Sequence, residues 1–366
     1  YARYRAPNLR VLVLVSFNVD ALCACKIIQA LFQCDHIPYS IVPVQGQEDL
    51  LRAFAEHKEQ IKYVLMLVFL SRARVRLNLV LYRHWSLFES MRHSRFVSCA
   101  FKVWTNKGVK RLMEFLADMG MPLVQVKQKF GSMDVQFKSH VKDWIEDRAE
   151  KYHLQRIVFG SFHTQYGYRN KYCASDVVYA VTALLEASGK DKTASDRFLE
   201  ALDCLSRVNV SLLERGVEAA KLLMQAILST VHGFIDMHQL ISAGPFLYGF
   251  IQQGTPDAKL FSRPVCLQML ARFMLHAYVV TTRNKRLKSL PLVLTAPLDE
   301  EEGTSIVVGM PPHSEESQKN LFGKAFEQAA EKTNSRISQD FFDSSVIKMK
   351  TEDRSKFFDA LISLMA

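Results

Sequence analysis

The sequence lacks a long hydrophobic run. Val11–Val15 gives way to Asn18 and Asp20, and Val64–Leu70 falls far short of the roughly 20 residues a membrane helix needs. No transmembrane segment and no membrane partner are expected. Arg3, Arg5 and Arg10 ahead of an apolar run imitate a signal peptide, but the apolar stretch breaks after about seven residues at Asn18-Val-Asp20, which argues against one. The first residue is Tyr1 rather than Met, so the natural start is expected upstream.

Cysteine is sparse and unpatterned. Seven cysteines are an odd number at irregular spacing, none forms Cys-x-x-Cys, and no histidine pair accompanies them at zinc spacing. Cys23 and Cys25, two apart on a helix, point in different directions. Buried reduced thiols are expected. A phosphate-binding glycine loop is missing too: Gly189-Lys190 has neither the earlier glycine nor the following hydroxyl residue. There is no Gly-x-Ser-x-Gly elbow, and His232 and His238 are six apart, off the i, i+4 face of a helical metal site. No cofactor and no metal site are expected. Internal repeats and low-complexity tracts are also missing.

What is present is a globular composition with room for two domains or more. The 366 residues are 49% hydrophobic and 23% charged, with a formal net charge of +10. That balance suits an acidic partner such as nucleic acid, and equally an ordinary solvated surface. Arg283, Lys285, Arg286 and Lys288 cluster between a helix and a strand, where they could contact phosphates. Lys127 and Lys129 lie beside Phe130, a candidate stacking surface for a single strand.

Periodicity gives the organisation. Val11–Val15 reads as a strand buried on both faces. Asp20 is placed to cap the next helix, whose inward face is Ala21, Cys25, Ile28 and Phe32, widened by Ala24, Ile27 and Leu31. Tyr39–Val44 is a second strand, and Pro43 marks it as an edge or a bulge. Gln47–Lys58 is a helix and Tyr63–Phe69 a third buried strand, a Rossmann-like β-α-β-α-β half that must lean on something later in the chain. Residues 77–153 read as helical. From 154 to 366 the pattern is α+β, with strands expected at Arg156–Phe162, Phe246–Ile251, Leu290–Ala296 and Ser305–Met310. Helices are expected after Ser175 or Asp176, at Phe198–Leu205, Leu212–Val231, Pro264–Thr281, Asn320–Lys332 and Glu352–Met365.

Residues 18–36 (NVDALCACKIIQALFQCDH) closely resemble the opening of the cell division control protein 45 family, eukaryotic replication proteins descended from RecJ-like DHH phosphoesterases. The resemblance returns in order at 79–87 (LVLYRHWSL), 111–120, 126–130, 174–178, 244–248, 254–257, 260–264 and 352–357. It implies a RecJ-like DHH phosphoesterase-derived α/β module, truncated, at 1–76. A helical interaction segment at 77–153 and an α+β DHH-associated-like domain at 154–366 follow. Two departures matter. The family's first loop usually carries two aspartates, whereas this chain has Asn18 and keeps only Asp20. The family also has a long central region after the third strand, where this chain passes from Phe69 to Leu79 through nine residues. Either that region is omitted from the sequence or this is a shortened variant.

DHH phosphoesterases gather several Asp and His residues around two divalent metals that activate water. With Asn18 and Asp20 as a vestigial loop, the chain is expected to be no enzyme. The resemblance implies a nuclear, non-catalytic subunit joining the minichromosome maintenance ring and the GINS complex in the replicative helicase, with single-stranded or chromatin DNA as a further partner. The alternatives are a metal-dependent RecJ-like single-strand exonuclease or phosphoesterase, and a stand-alone single-stranded DNA-binding module. Partner contacts are expected on the helical segment, which holds all three tryptophans, with Trp85, Phe88, Met91, Val109, Leu116 and Trp144 as candidates.

Overall fold

A computed structural model describes residues 10–59, 61–68, 79–154, 163–166, 170–187, 192–313 and 320–366. The first module runs β1 (Val11–Ser16), α1 (Val19–Cys34), β2 (Tyr39–Val44), α2 (Gln47–His57) and β3 (Tyr63–Leu67). Its strands form a parallel sheet in the order β2-β1-β3. All six residues of β1 are buried, as the unbroken apolar run requires. Pro43 sits on β2, an edge strand, where a missing N–H costs least.

Two expectations for this module are corrected. Ile27 and Leu31 do not widen the buried face of α1; they are 64% and 58% exposed. Nor is β3 buried, because Tyr63, Val64 and Met66 face solvent. Phe69 lies outside the described residues.

The helical segment contains α3 (Leu87–His93), α4 (Arg95–Phe101), α5 (Asn106–Asp118), α6 (Leu123–Lys127) and α7 (Val135–Ala149). Ser86 caps α3 by accepting the Glu89 N–H at 3.1 Å, and Thr105 caps α5 through the Gly108 N–H at 3.0 Å. Gly120, at φ +79°, ends α5 in the left-handed region glycine tolerates.

A short hairpin follows, β4 (His163–Tyr166) and β5 (Asn170–Cys173), then α8 (Ala174–Leu185), α9 (Ala194–Cys204) and α10 (Val210–Asp236). The strand expected at Arg156–Phe162 lies outside the described residues. Next come β6 (Ile241–Ser242), β7 (Leu247–Phe250), α11 (Pro264–Thr281), α12 (Lys285–Lys288), β8 (Leu292–Asp299) and β9 (Thr304–Met310). The chain closes with α13 (Phe322–Thr333), β10 (Ile337–Ser338), β11 (Val346–Lys350) and α14 (Arg354–Met365). Strands β6 to β11 make one sheet in the order β10-β11-β9-β8-β7-β6, antiparallel except for the β7–β8 pair.

Alternation along the strands gives this sheet two apolar faces. Val293, Val307 and Ile347 pack under Phe322, Phe326, Phe357 and Leu361 of α13 and α14. Leu292, Leu294, Ile306 and Val308 face α10 and α11, and that core continues without a break into α3, α5 and α7. Gly309 makes the first face possible, since a Cβ there would lie 2.3 Å from Phe322 Cγ. Helix α11 is the one described helix long and apolar enough to cross a membrane; its Leu267, Leu270, Phe273 and Met274 are buried in this core.

The first module leans on later residues, as three strands alone require. Val11, Val13, Val15, Ala21 and Cys25 join Ala180, Val181, Phe198 and Val217 of α8, α9 and α10 in one cluster. The Phe17 and Phe198 rings stand 5.7 Å apart. The seven cysteines are all unbridged; five are buried, Cys23 is half-buried and Cys34 is exposed, so Cys34 departs from the expected burial.

Candidate functional site

Three places were expected to carry function: the loop after β1, the basic clusters and the helical segment. The loop after β1 is a structural joint. The Asn18 side-chain oxygen accepts the Ala21 N–H at 2.8 Å and its amide donates to Ser16 Oγ at 2.6 Å. Asn18, and not Asp20, is therefore the N-cap of α1. Asp20 sits exposed in the first turn, where its charge suits the positive end of the helix dipole. Among the described residues, no group of three or more His, Cys, Asp or Glu side chains is arranged to hold a metal ion.

A cleft of about 820 Å³ opens among the described residues. One wall is Arg83, His84, Lys129 and Ser132, from the stretches preceding α3 and following α6; the other is built from α8, α9 and α10. Arg83 is held over two rings, with its guanidinium carbon 5.4 Å from the Tyr82 centroid and 5.9 Å from Phe130, and its Nε donates to the Tyr82 hydroxyl at 3.2 Å. The Tyr82 hydroxyl also lies 3.1 Å from His163 Nε2. Burial, helped by the Arg83 cation, holds His163 below the ordinary imidazole value, so this contact joins two neutral groups near pH 7.

His84 stacks on Tyr172, centroids 4.7 Å apart, and its Nε2 lies 3.3 Å from the Asp176 carboxylate. Asp176 is fully buried at the third position of α8, where Oδ2 accepts the Cys173 N–H at 2.9 Å. It braces α8 from inside the helix rather than from the cap position expected for it. The His84–Asp176 approach and the ring stack bring the helical segment against β5 and α8.

The two walls differ in charge. On the far wall Glu200 pairs with Lys192 at 2.5 Å and with Arg215, and Glu218 pairs with Lys221 at 2.6 Å. On the near wall neither Arg83 nor Lys129 has a carboxylate partner among the described residues. An anion such as a phosphodiester would meet those two cations first.

The sequence candidates scatter around this cleft. Lys129 lines it; Lys127 is exposed but outside its lining. Phe130, expected to stack a base, is 7% exposed beneath Arg83, edge-on to Tyr82, so the stacking expectation is corrected. Arg283, Lys285, Arg286 and Lys288 lie on and beside α12, and none lines the cleft. Phe88, Met91 and Leu116, expected to face a partner, are in the core at 9%, 0% and 0% exposure. Val109, Trp85 and Trp144 are half-buried against it, with Trp85 stacked on His93 at 4.6 Å and Trp144 on His140 at 5.4 Å. The apolar residues that do face solvent on this segment are Leu123, Val124 and Val135, at 41%, 71% and 74% exposure. Sequence reasoning missed them because each sits at a helix start, where 3.6-residue periodicity has no preceding turn to define a face. Arg83 and His84 were likewise passed over, since two polar residues beside a tryptophan carry no motif of their own.

A family model described as CDC45 matches residues 11–71 and 72–364, nearly the whole chain. The chain belongs to the CDC45 family. It is 49% identical over 289 residues to a cell division control protein 45 homolog of Mus musculus and 48% identical over 291 residues to that of Homo sapiens, each covering 79% of this chain and 51% of the relative. The chain thus spans about half the length of these CDC45 relatives. The crystal structure of CDC45 from Entamoeba histolytica superposes with a TM-score of 0.75 at 19% identity, covering 98% of this chain and 96% of that one. The α/β architecture described above is therefore the CDC45 fold.

Proposed function

We propose that this chain works in DNA replication as a non-catalytic assembly protein in the nucleus. In this reading it joins the minichromosome maintenance ring and the GINS complex in the replicative helicase, and meets single-stranded DNA along the Arg83–Lys129 wall of the cleft. The observation that carries the reading is Asn18: a neutral amide occupied in capping α1 stands where two-metal hydrolysis would need a free carboxylate. Membership of the CDC45 family supports the replication role, and the +10 charge supports an acidic partner.

The test has two arms. The chain, tagged, is mixed with purified ring and GINS, and co-assembly is expected; failure of the chain to associate with either would overturn the assembly role. Binding to labelled single-stranded DNA is then followed across salt concentrations. Arg83→Gln with Lys129→Gln should flatten the salt slope by about one unit per lost phosphate contact, and an unchanged slope would move DNA away from this cleft.

A further inference from the structure

The two ring nitrogens of His84 meet different surroundings. Nε2 is buried, 3.3 Å from Oδ2 of Asp176, a carboxylate with 0% exposure. Oδ2 also accepts the Cys173 N–H, whereas Oδ1 is buried with no hydrogen-bond partner among the described residues. The His84 side chain nevertheless keeps 19% exposure, and His84 is the one histidine in the cleft lining among those residues. With Nε2 turned to Asp176, Nδ1 is the nitrogen left for a molecule in the cleft. A neutral imidazole carries one N–H. Placed on Nε2, it faces the carboxylate and leaves Nδ1 a bare acceptor, which repels a phosphate oxygen. Only the doubly protonated ring donates on both sides. Arg83 and Lys129, on the same wall, oppose a third positive charge. A phosphodiester between them removes that opposition. The other groups around the ring do not supply the proton. His163 on β4 meets the Tyr82 hydroxyl and is neutral near pH 7. On β5, burial pushes the Tyr172 hydroxyl up to about 12 and the Cys173 thiol up to about 11. On the far wall Glu200 and Glu218 are paired with Lys192, Arg215 and Lys221, and Glu214 is the remaining carboxylate of the lining.

We propose that His84 is a proton-coupled phosphate contact: a single strand laid along Arg83 and Lys129 takes up one proton at His84, with Asp176 on Nε2 and a phosphate oxygen on Nδ1. This rests on the single-stranded DNA reading of the cleft proposed above. Proton and strand then bind together, so affinity falls as pH rises through the range in which histidine loses its charge, about pH 5 to 8. One proton sets the limit at about tenfold per pH unit.

The experiment measures the affinity of the full chain for labelled oligothymidylate, whose bases keep their charge in this range, at fixed ionic strength from about pH 6 to about pH 8. His84→Gln should flatten the pH dependence, with the circular dichroism of the chain kept. Asp176→Asn, which retains an oxygen for the Cys173 N–H, should flatten it as well. His232→Gln, exposed on α10 and outside the cleft lining, should leave it in place. Calorimetry of the unaltered chain in two buffers of different ionisation enthalpy should show proton uptake on binding, which needs no variant to fold. Binding that depends on Arg83 and Lys129 but keeps its pH slope after His84→Gln, or that takes up no proton, overturns this proposal alone. Binding indifferent to Arg83→Gln with Lys129→Gln overturns the DNA reading of the cleft and this proposal with it.

Discussion

The Asn18 side-chain oxygen accepts the Ala21 backbone N–H at 2.8 Å, and this bond turns the signature loop after β1 into a helix cap. An aspartate can cap as well as an asparagine, so the exchange keeps the joint and removes the charge.

Asn18→Ala should lower stability by about 0.5–2 kcal/mol, the usual range for a lost N-cap. Asp20→Ala should cost less, about 0.3–1 kcal/mol, because Asp20 is exposed and its charge acts on the helix dipole through water. Urea unfolding of both variants checks the order. A larger loss at Asp20 would mean that Asp20, and not Asn18, anchors the loop.

Burial separates the helical segment into core and surface. Leu116→Ala should cost about 2–5 kcal/mol, as buried leucines do. Val124→Glu and Val135→Glu should leave the melting temperature nearly unchanged. The two positions are neighbours, since the Asp134 N–H donates to Gln125 Oε1 at 3.2 Å between α6 and α7. If this surface is the one the ring or GINS covers, the double change abolishes pull-down without unfolding. Full pull-down by the folded double variant would place the contact elsewhere.

Glu186 should give stability an unusual pH dependence. Burial raises its carboxyl to about 7, against the pull of Arg263 and Arg197. The folded state then holds a proton that the unfolded chain has released, so stability is fully present below about pH 4.5 and falls as pH rises to about 7. The size is at most roughly 3.5 kcal/mol, at about 1.4 kcal/mol per pKa unit. His93, pushed down to about 4 by burial, contributes the opposite slope over much of the same range. That contribution is common to both proteins when wild type is compared with Glu186→Gln. The difference in melting temperature between the two should change across about pH 4.5–7, in the sense that the glutamine variant escapes the loss. A constant difference would mean that Glu186 is ionised throughout.

Much of this fold is legible in the sequence because its elements are strongly periodic. Val11–Val15 is such a local signal, an unbroken apolar run that lies within the fully buried β1. The errors have tertiary causes. Ile27, Leu31, Val64 and Met66 read as buried because they are apolar, and periodicity cannot tell that nothing in the described fold covers them. Phe88, Met91 and Leu116 read as partner-facing because an amphipathic stripe looks the same whether it meets its own core or another subunit. The cleft is least legible of all. Lys129 stands out by its charge, but Arg83, His84 and Asp176 are brought together across the span from 83 to 176, and only the fold reveals which cations lack a carboxylate.

The most direct test of the central claim is incubation of the chain with labelled single-stranded DNA and manganese, beside an Asp20→Ala control. The account predicts no cleavage above that control at any protein concentration. Turnover that the Asp20→Ala change removes would contradict it and make the loop after β1 an active site.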